Sequence, residues 1–201
     1  NDLRGALQKQ SVQHRAHLKE SELPEYLAKL EVYDGEKLTQ LALKILLLTF
    51  VRSAELRGAT WSEINWEKAE WRIPAERMKM KKQHIVPLAR QTLDLLRQVQ
   101  HISGNREYIF PNSVKPMKIM SENTLLFALY RMGYKGRSTA HGFRSTASTI
   151  LNENGFKPDV IERQLAHTER DQIRAAYNHA EYLPERREMM QWWGDYVERI
   201  R

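Results

Sequence analysis

"LTQLALKILLLTFVRSAEL", residues 38–56, changes character at its C-terminal end. Leu38, Leu41, Ile45 and Leu48 recur at helical spacing, while Leu43, Leu46, Leu47 and Phe50 add apolar surface on the other sides. A helix that is apolar all round belongs in the middle of a core. The apolar run from Leu41 to Val51 is too short to span a bilayer, and it contains Lys44. Directly after it comes Arg52, followed by Glu55 and Leu56, an arrangement in which apolar partners anchor the turn while the arginine projects.

Outward from this helix, the chain separates into regions by pattern. Residues 1–20, "NDLRGALQKQSVQHRAHLKE", are polar and basic with no sustained apolar stripe, and are expected to be a linker. Because the chain starts at Asn1, that linker is expected to follow an upstream region. Ser21 reads as a helix N-cap, with Pro24 in the first turn. Between Trp61 and Leu88, the short segments "EINWE", "AEWRIP" and "QHIVPL" are separated by charged turns and predict a small antiparallel sheet. Helical patterns return from Ala89, in "RQTLDLLRQVQ", "SENTLLFALYRMG", "STAHGFRSTASTI", "KPDVIERQLA", "IRAAYNHA" and "PERREMMQWWGDYVERI". Gly155 is a stop signal and Pro158 starts the next helix. Residues 21–201 therefore read as one mostly α domain with a small antiparallel β-sheet, an α+β fold.

Composition narrows the function classes. The 201 residues are 41% hydrophobic, enough for a buried core, and carry a net charge of +7, which suits a polyanionic partner. There is no cysteine, so disulfides, thiolate zinc sites and cysteine nucleophiles are excluded, and a cytoplasmic location is the default expectation. No GxGxxG, GxxxxGK[ST] or HExxH occurs, the seven histidines are scattered, and acidic residues do not cluster as two-metal nucleases favour. Metal catalysis and a nucleotide cofactor are disfavoured.

Three further stretches carry chemistry. In "STAHGFRSTASTI", residues 138–150, helical geometry puts His141, Arg144, Ser145 and Ser148 on one side, with Phe143, Ala147 and Ile150 on the other. "ERMKMKKQHIVPL" holds Arg77, Lys79, Lys81 and Lys82 in a strand-to-strand turn, where long cationic side chains can reach a phosphate backbone. "RQLAHTERDQIRAAYNHAEY" puts His167 after one helix and Tyr177 ten residues later.

Together these motifs resemble the catalytic domain of the tyrosine recombinases, the family that includes phage integrases, over nearly the whole chain after residue 20 and in the family's order. The resemblance assigns Arg52, Lys79, His141, Arg144, His167 and Tyr177 to the active site. Lys79 is chosen by counting seven residues back from Val86 of "VPL", with Lys81 and Lys82 as alternatives and Arg77 as a further DNA contact. The C-terminal run looks like that of integrases carried by prophages and genomic islands. Three positions depart from the family pattern: Phe50 and Ala166 stand where many relatives have glycine, and Ser145 where histidine is frequent. The resemblance implies the tyrosine recombinase fold and an upstream DNA-clamping region. Its implied partners are double-stranded DNA attachment sites, a homo-tetramer on DNA formed by exchange of the C-terminal helix, and accessory DNA-bending or excision factors, with no membrane partner. Trp192 and Trp193 pack that helix either onto this domain or, as the resemblance implies, into a neighbouring subunit.

The residue types suit phosphodiester chemistry. A phenol of pKa about 10 is a poor nucleophile, so the phosphate must be made electrophilic and the proton moved. Arg52 and Arg144 can each present paired donors to the non-bridging oxygens. His141 and His167 can move the tyrosine proton or hold a phosphate oxygen, and Lys79 can act as general acid at the leaving sugar oxygen. A phosphotyrosyl link keeps the phosphodiester's energy, so neither ATP nor a metal is required. Blander roles compete: an Arg52–Glu55 surface ion pair, a helix-capping His167, and Tyr182 in place of Tyr177. As whole functions, a topoisomerase of the same nucleophilic class and a non-catalytic DNA-binding module compete with strand exchange.

Overall fold

The central element is a helix buried on every side, and the other helices wrap it. The computed structural model describes residues 16–167 and 181–201. Helix α1 spans Leu23–Glu31, α2 spans Lys37–Thr49 and α3 spans Ser53–Arg57. Ten residues of α2 are buried, from Thr39 to Thr49, and the helix contacts α1, α3, α4 (Arg90–Ser103), α5 (Glu122–Arg131), α6 (Gly142–Glu153) and the C-terminal helix α8 (Leu183–Arg199). That arrangement is what leucines and isoleucine on all sides of the helix demand. Helix α7 spans Pro158–Gln164 and starts on its proline, and Gly155 ends α6 at φ +81°.

The sheet expected between Trp61 and Leu88 is present. Strands β1 (Ile64–Asn65), β2 (Glu70–Ile73) and β3 (His84–Pro87) pair antiparallel in that order, with Trp71 opposite Val86 and Ile73 opposite His84. Strand β3 lies against α8, and the β2–β3 connection carries the basic cluster.

Two local expectations are corrected. Leu18, assigned by composition to the linker, is only 1% exposed, and its carbonyl accepts a 2.6 Å hydrogen bond from Thr146 Oγ1 of α6. One buried leucine is enough to pin a short polar segment, and a periodicity argument cannot see it. Ser21 does not cap α1: it lies in a 3₁₀ turn, Glu20–Glu22, where Glu22 accepts from the Lys19 backbone N–H at 2.9 Å. The "IRAAYNHA" helix lies outside the described residues.

In the single chain, α8 closes on its own domain. Trp193 is fully buried, donates Nε1–H to Leu47 O at 3.0 Å and meets the Phe50 ring edge-on at 6.3 Å, while Trp192 stacks on Tyr196. Arg186, also fully buried, donates to Gln164 Oε1 from Nε at 3.0 Å and from Nη2 at 2.7 Å, and Nη2 also reaches Ile85 O. Of the two placements open to Trp192 and Trp193, this structure has them packed on their own domain. Among the described residues no helix is long and apolar enough to cross a membrane.

Candidate active site

The site forms where two chain reversals, both through left-handed backbone, meet the N-terminal part of α6. Phe50 ends α2 at φ +39°, and Ala166 follows α7 at φ +49°. Both are the positions where the family pattern favours glycine, and a side chain there costs about 1–2 kcal/mol of backbone strain. Phe50 offsets that strain by burying its ring completely against Trp193. The left-handed turn directs the Phe50 carbonyl to a distant partner, Arg144 Nη1, at 2.9 Å.

Arg52 stands at the N-cap of α3. Its backbone N–H and its Nη1 both donate to the Glu55 carboxylate at 2.8 Å, and Nη2 reaches Ala166 O at 3.2 Å, 114 residues along the chain. The expected Arg52–Glu55 pair therefore exists, but it is not a surface pair: the Glu55 side chain is 4% exposed and that of Arg52 24%. The carboxylate aims a guanidinium whose other edge faces the α7–His167 turn.

Arg77 behaves differently from the expectation of a phosphate contact. Its guanidinium turns inward, onto the Glu63 carboxylate and the Glu55 carbonyl. Glu63 also accepts Trp71 Nε1–H at 2.8 Å, so Arg77 ties the sheet to the turn that holds Arg52. The half-buried arginine follows a 3₁₀ turn, Ala75–Arg77, that points it back into the protein. Lys79, Lys81 and Lys82 are exposed in the loop beyond, with Lys81 at φ +53°, and none of them lines the pocket described below.

On α6, the apolar side is as expected, with Phe143, Ala147 and Ile150 buried. The polar side is not simply solvated: Arg144 is 4% exposed. It spans the gap between two turns, donating to Phe50 O at 2.9 Å and to Leu165 O at 2.6 Å, while Nη2 lies 3.0 Å from His167 Nε2. Its Nε has no protein partner among the described residues. Burial first, and the neighbouring Arg52 second, push the guanidinium down to about 10. Two neighbouring like charges, one of them buried, favour an anion between or beside them.

His167 is fixed from both sides of its ring. Nδ1 lies 2.8 Å from Glu162 Oε2, and its backbone N–H donates to Glu162 O at 3.1 Å. Since a guanidinium can only donate, His167 Nε2 accepts from Arg144 and the ring proton sits on Nδ1, donating to Glu162. The helix end is capped by the His167 backbone N–H, while the ring itself bridges the Glu162 carboxylate and Arg144. His141 forms the N-cap position of α6. Together His141, Arg144, Ser145, Ser148, Thr149, Leu165 and His167 line an open pocket of about 270 Å³, joined by His17, which the sequence reading did not single out. Gly142 is what admits this segment: a Cβ there would lie 2.5 Å from Ala16 O and 3.0 Å from His17 Cα.

Tyr177 lies outside the described residues. Its rival, Tyr182, is half-buried at the start of α8 and packs against the core. Among the described residues no cluster of three metal-ligating side chains occurs.

Comparison with known proteins agrees with this geometry. The model of the Phage integrase family matches residues 16–183. The chain belongs to the phage integrase family. It is 48% identical to an integrase of Enterobacteria phage P4 across 98% of this chain and 49% of that protein. The chain thus spans about half the length of the curated relatives it matches. Among solved structures, the XerH site-specific recombinase bound to difH substrate superposes with a TM-score of 0.65 at 18% identity, covering 88% of this chain and 55% of that one. A lambda integrase tetramer bound to a Holliday junction gives a TM-score of 0.62 at 18% identity, covering 82% and 50%. The fold is that of the tyrosine recombinase catalytic domain, as the motif order anticipates.

Proposed function

We propose that the chain is the catalytic part of a site-specific DNA recombinase that integrates or excises a mobile element. Arg52 and Arg144 bind the non-bridging oxygens of one phosphodiester and stabilise the charge that builds in the transition state, an effect commonly worth about 3–4 kcal/mol per well-placed donor. Tyr177 attacks the phosphorus and forms a 3′-phosphotyrosyl link, expelling the 5′ sugar oxygen. His141, or His167 once its Nε2 exchanges the Arg144 donor for the phenol, takes the phenolic proton. Lys79, on its exposed turn, delivers a proton to the leaving oxygen, with Lys81 and Lys82 contacting phosphates. Attack by a DNA hydroxyl on the phosphotyrosine then rejoins the strand and regenerates the phenol. The partners are double-stranded attachment sites, other copies of the chain in a tetramer on DNA, and accessory DNA-bending or excision factors.

The single observation that carries this reading is the meeting of Arg52, Arg144 and His167 around the Leu165–Ala166 carbonyls, from three separate segments. A buried guanidinium, Arg144, with a second, partly exposed one beside it is hard to explain as packing alone, because the neighbouring charge adds to the cost of burial. The names of the relatives favour recombination over topoisomerase activity.

The test is covalent capture of the protein on nicked duplex DNA taken from the element's junction, read by mass spectrometry. A nucleotide adduct on the peptide containing Tyr177, abolished by Tyr177→Phe with DNA binding retained, is the expected result. Capture by Tyr177→Phe would overturn the assignment, and DNA binding with no adduct under any condition would leave a non-catalytic module.

A further inference from the structure

The pocket is longer than one phosphate needs. From His141 to Thr149 its wall follows α6 for eight residues, about 12 Å at 1.5 Å per residue. Along α6 the wall runs from His141 and Arg144 through Ser145 to Ser148 and Thr149, and Leu165, His167 and His17 complete the lining. No carboxylate lines it, and its polar side chains are imidazole, hydroxyl and guanidinium groups, of which Arg144 and the hydroxyls can donate to an anion.

His17 is held there by the scaffold. The backbone at Ala16 and His17 runs so close to α6 that only a glycine fits at position 142, and one residue further on, Thr146 clamps the Leu18 carbonyl at 2.6 Å. Leu18 itself is buried, which anchors the segment from its other side. The segment leading into the domain thus places a third imidazole beside His141 and His167.

We infer that this extension is a second phosphate subsite, in which His17, with Ser148 and Thr149, binds the DNA phosphate adjacent to the scissile one. The inference rests on the reading of the pocket as the scissile-phosphate site. Two neighbouring phosphates gripped by one rigid wall fix the direction of the strand, which a single phosphate contact cannot do. His17 is a phosphate ligand in this scheme and takes no part in bond breaking.

The test is a chemical double-mutant cycle on equilibrium binding. The probe is the nicked junction duplex, unmodified or with one neutral methylphosphonate at each phosphate flanking the scissile position in turn. His17→Ala is expected to weaken binding of the unmodified duplex about tenfold, the size of one charge-assisted hydrogen bond. At one methylphosphonate position, wild type should lose a similar factor and His17→Ala should lose nothing more. His17→Gln, which keeps a side-chain donor, should recover most of the affinity, separating phosphate contact from a packing defect. Equal affinities of His17→Ala and wild type, or independent losses at every modified position, would overturn the inference. Covalent capture is measured alongside: wild type that shows the non-additive binding yet no adduct would remove the cleavage reading and leave the second subsite standing.

Discussion

Glu55→Gln isolates what holds Arg52 in place. Glu55 accepts two hydrogen bonds at 2.8 Å from the same residue, one from its backbone N–H and one from Nη1. An amide keeps one accepting oxygen but sets an NH₂ group against a donor at the other. The variant therefore loses one charge-assisted bond and the ion pair. A fully buried pair broken this way costs about 3–5 kcal/mol and a charge-assisted bond alone about 1.5–3 kcal/mol. With Glu55 4% and Arg52 24% exposed, the loss should fall near the lower range, about 2 kcal/mol. Urea denaturation monitored by tryptophan fluorescence gives this number, and an unchanged slope against denaturant would show that the unfolded state is not the cause. The loss should persist at about 1 M salt, where an exposed pair would be screened within roughly 3 Å. The released guanidinium can no longer be aimed, so the rate of covalent capture on nicked DNA should fall about tenfold or more, the equivalent of about 1.4 kcal/mol of transition-state stabilisation. Stability within about 0.5 kcal/mol of wild type, a level typical of surface substitutions, together with an unchanged capture rate, would refute the claim that this carboxylate positions the arginine.

Ala166→Gly relieves a left-handed residue at φ +49°, and after the entropy a glycine adds to the unfolded chain it should raise stability by about 0.5–1 kcal/mol, measurable as a higher urea midpoint. His84 is 6% exposed with Nε2 3.1 Å from Gln164 O, and burial first, then Arg186, Arg163 and Arg144, hold it down to about 3. The folded protein thus keeps His84 neutral where the unfolded chain, with the ordinary value near 6.5, takes up a proton; its contribution to stability is complete above pH 6.5 and declines as pH falls toward 3, by at most about 1.4 kcal/mol per unit. His84→Gln should flatten the stability profile between pH 6 and 4 relative to wild type, and identical slopes would contradict this account of the histidine. Lys79→Ala should slow capture by about 100-fold on an ordinary strand, while a bridging sulfur at the leaving position, which departs without a proton, should restore the rate; if Lys81→Ala or Lys82→Ala shows that rescue pattern instead, the general acid is reassigned.

The fold was legible because its organising signals are local. A stretch with apolar residues on every side of the helix, such as Leu38–Phe50, has one place to go, and short segments between charged turns, as in residues 61–88, form a small antiparallel sheet. The order of the motifs singled out Arg52, Arg144 and His167, which the structure brings together around the Leu165 and Ala166 carbonyls. What the sequence did not display was the way each is held. The bonds from Arg144 to Phe50 O and Leu165 O, and from Arg52 to Ala166 O, are to backbone carbonyls, and any residue type can supply a carbonyl. Their direction comes from left-handed turns at Phe50 and Ala166, residues that carry no left-handed signature of their own. The inward turn of Arg77 is hidden for the same reason: in sequence it is one cation among several, and only the position of Glu63 and of the Glu55 carbonyl turns it inward. His17 was hidden inside a polar stretch whose composition argues for a tether, although Leu18 beside it is buried.

The central claim is that two arginines from distant segments serve one phosphate, and a crystal structure of the chain on its nicked junction duplex tests it most directly. The account predicts guanidinium nitrogens of both Arg52 and Arg144 within about 2.7–3.2 Å of non-bridging oxygens on the same phosphorus, with the Tyr177 phenol facing it. Arg52 and Arg144 bound to different phosphates, or Arg144 still wholly occupied by Phe50, Leu165 and His167 with no DNA contact, would contradict it.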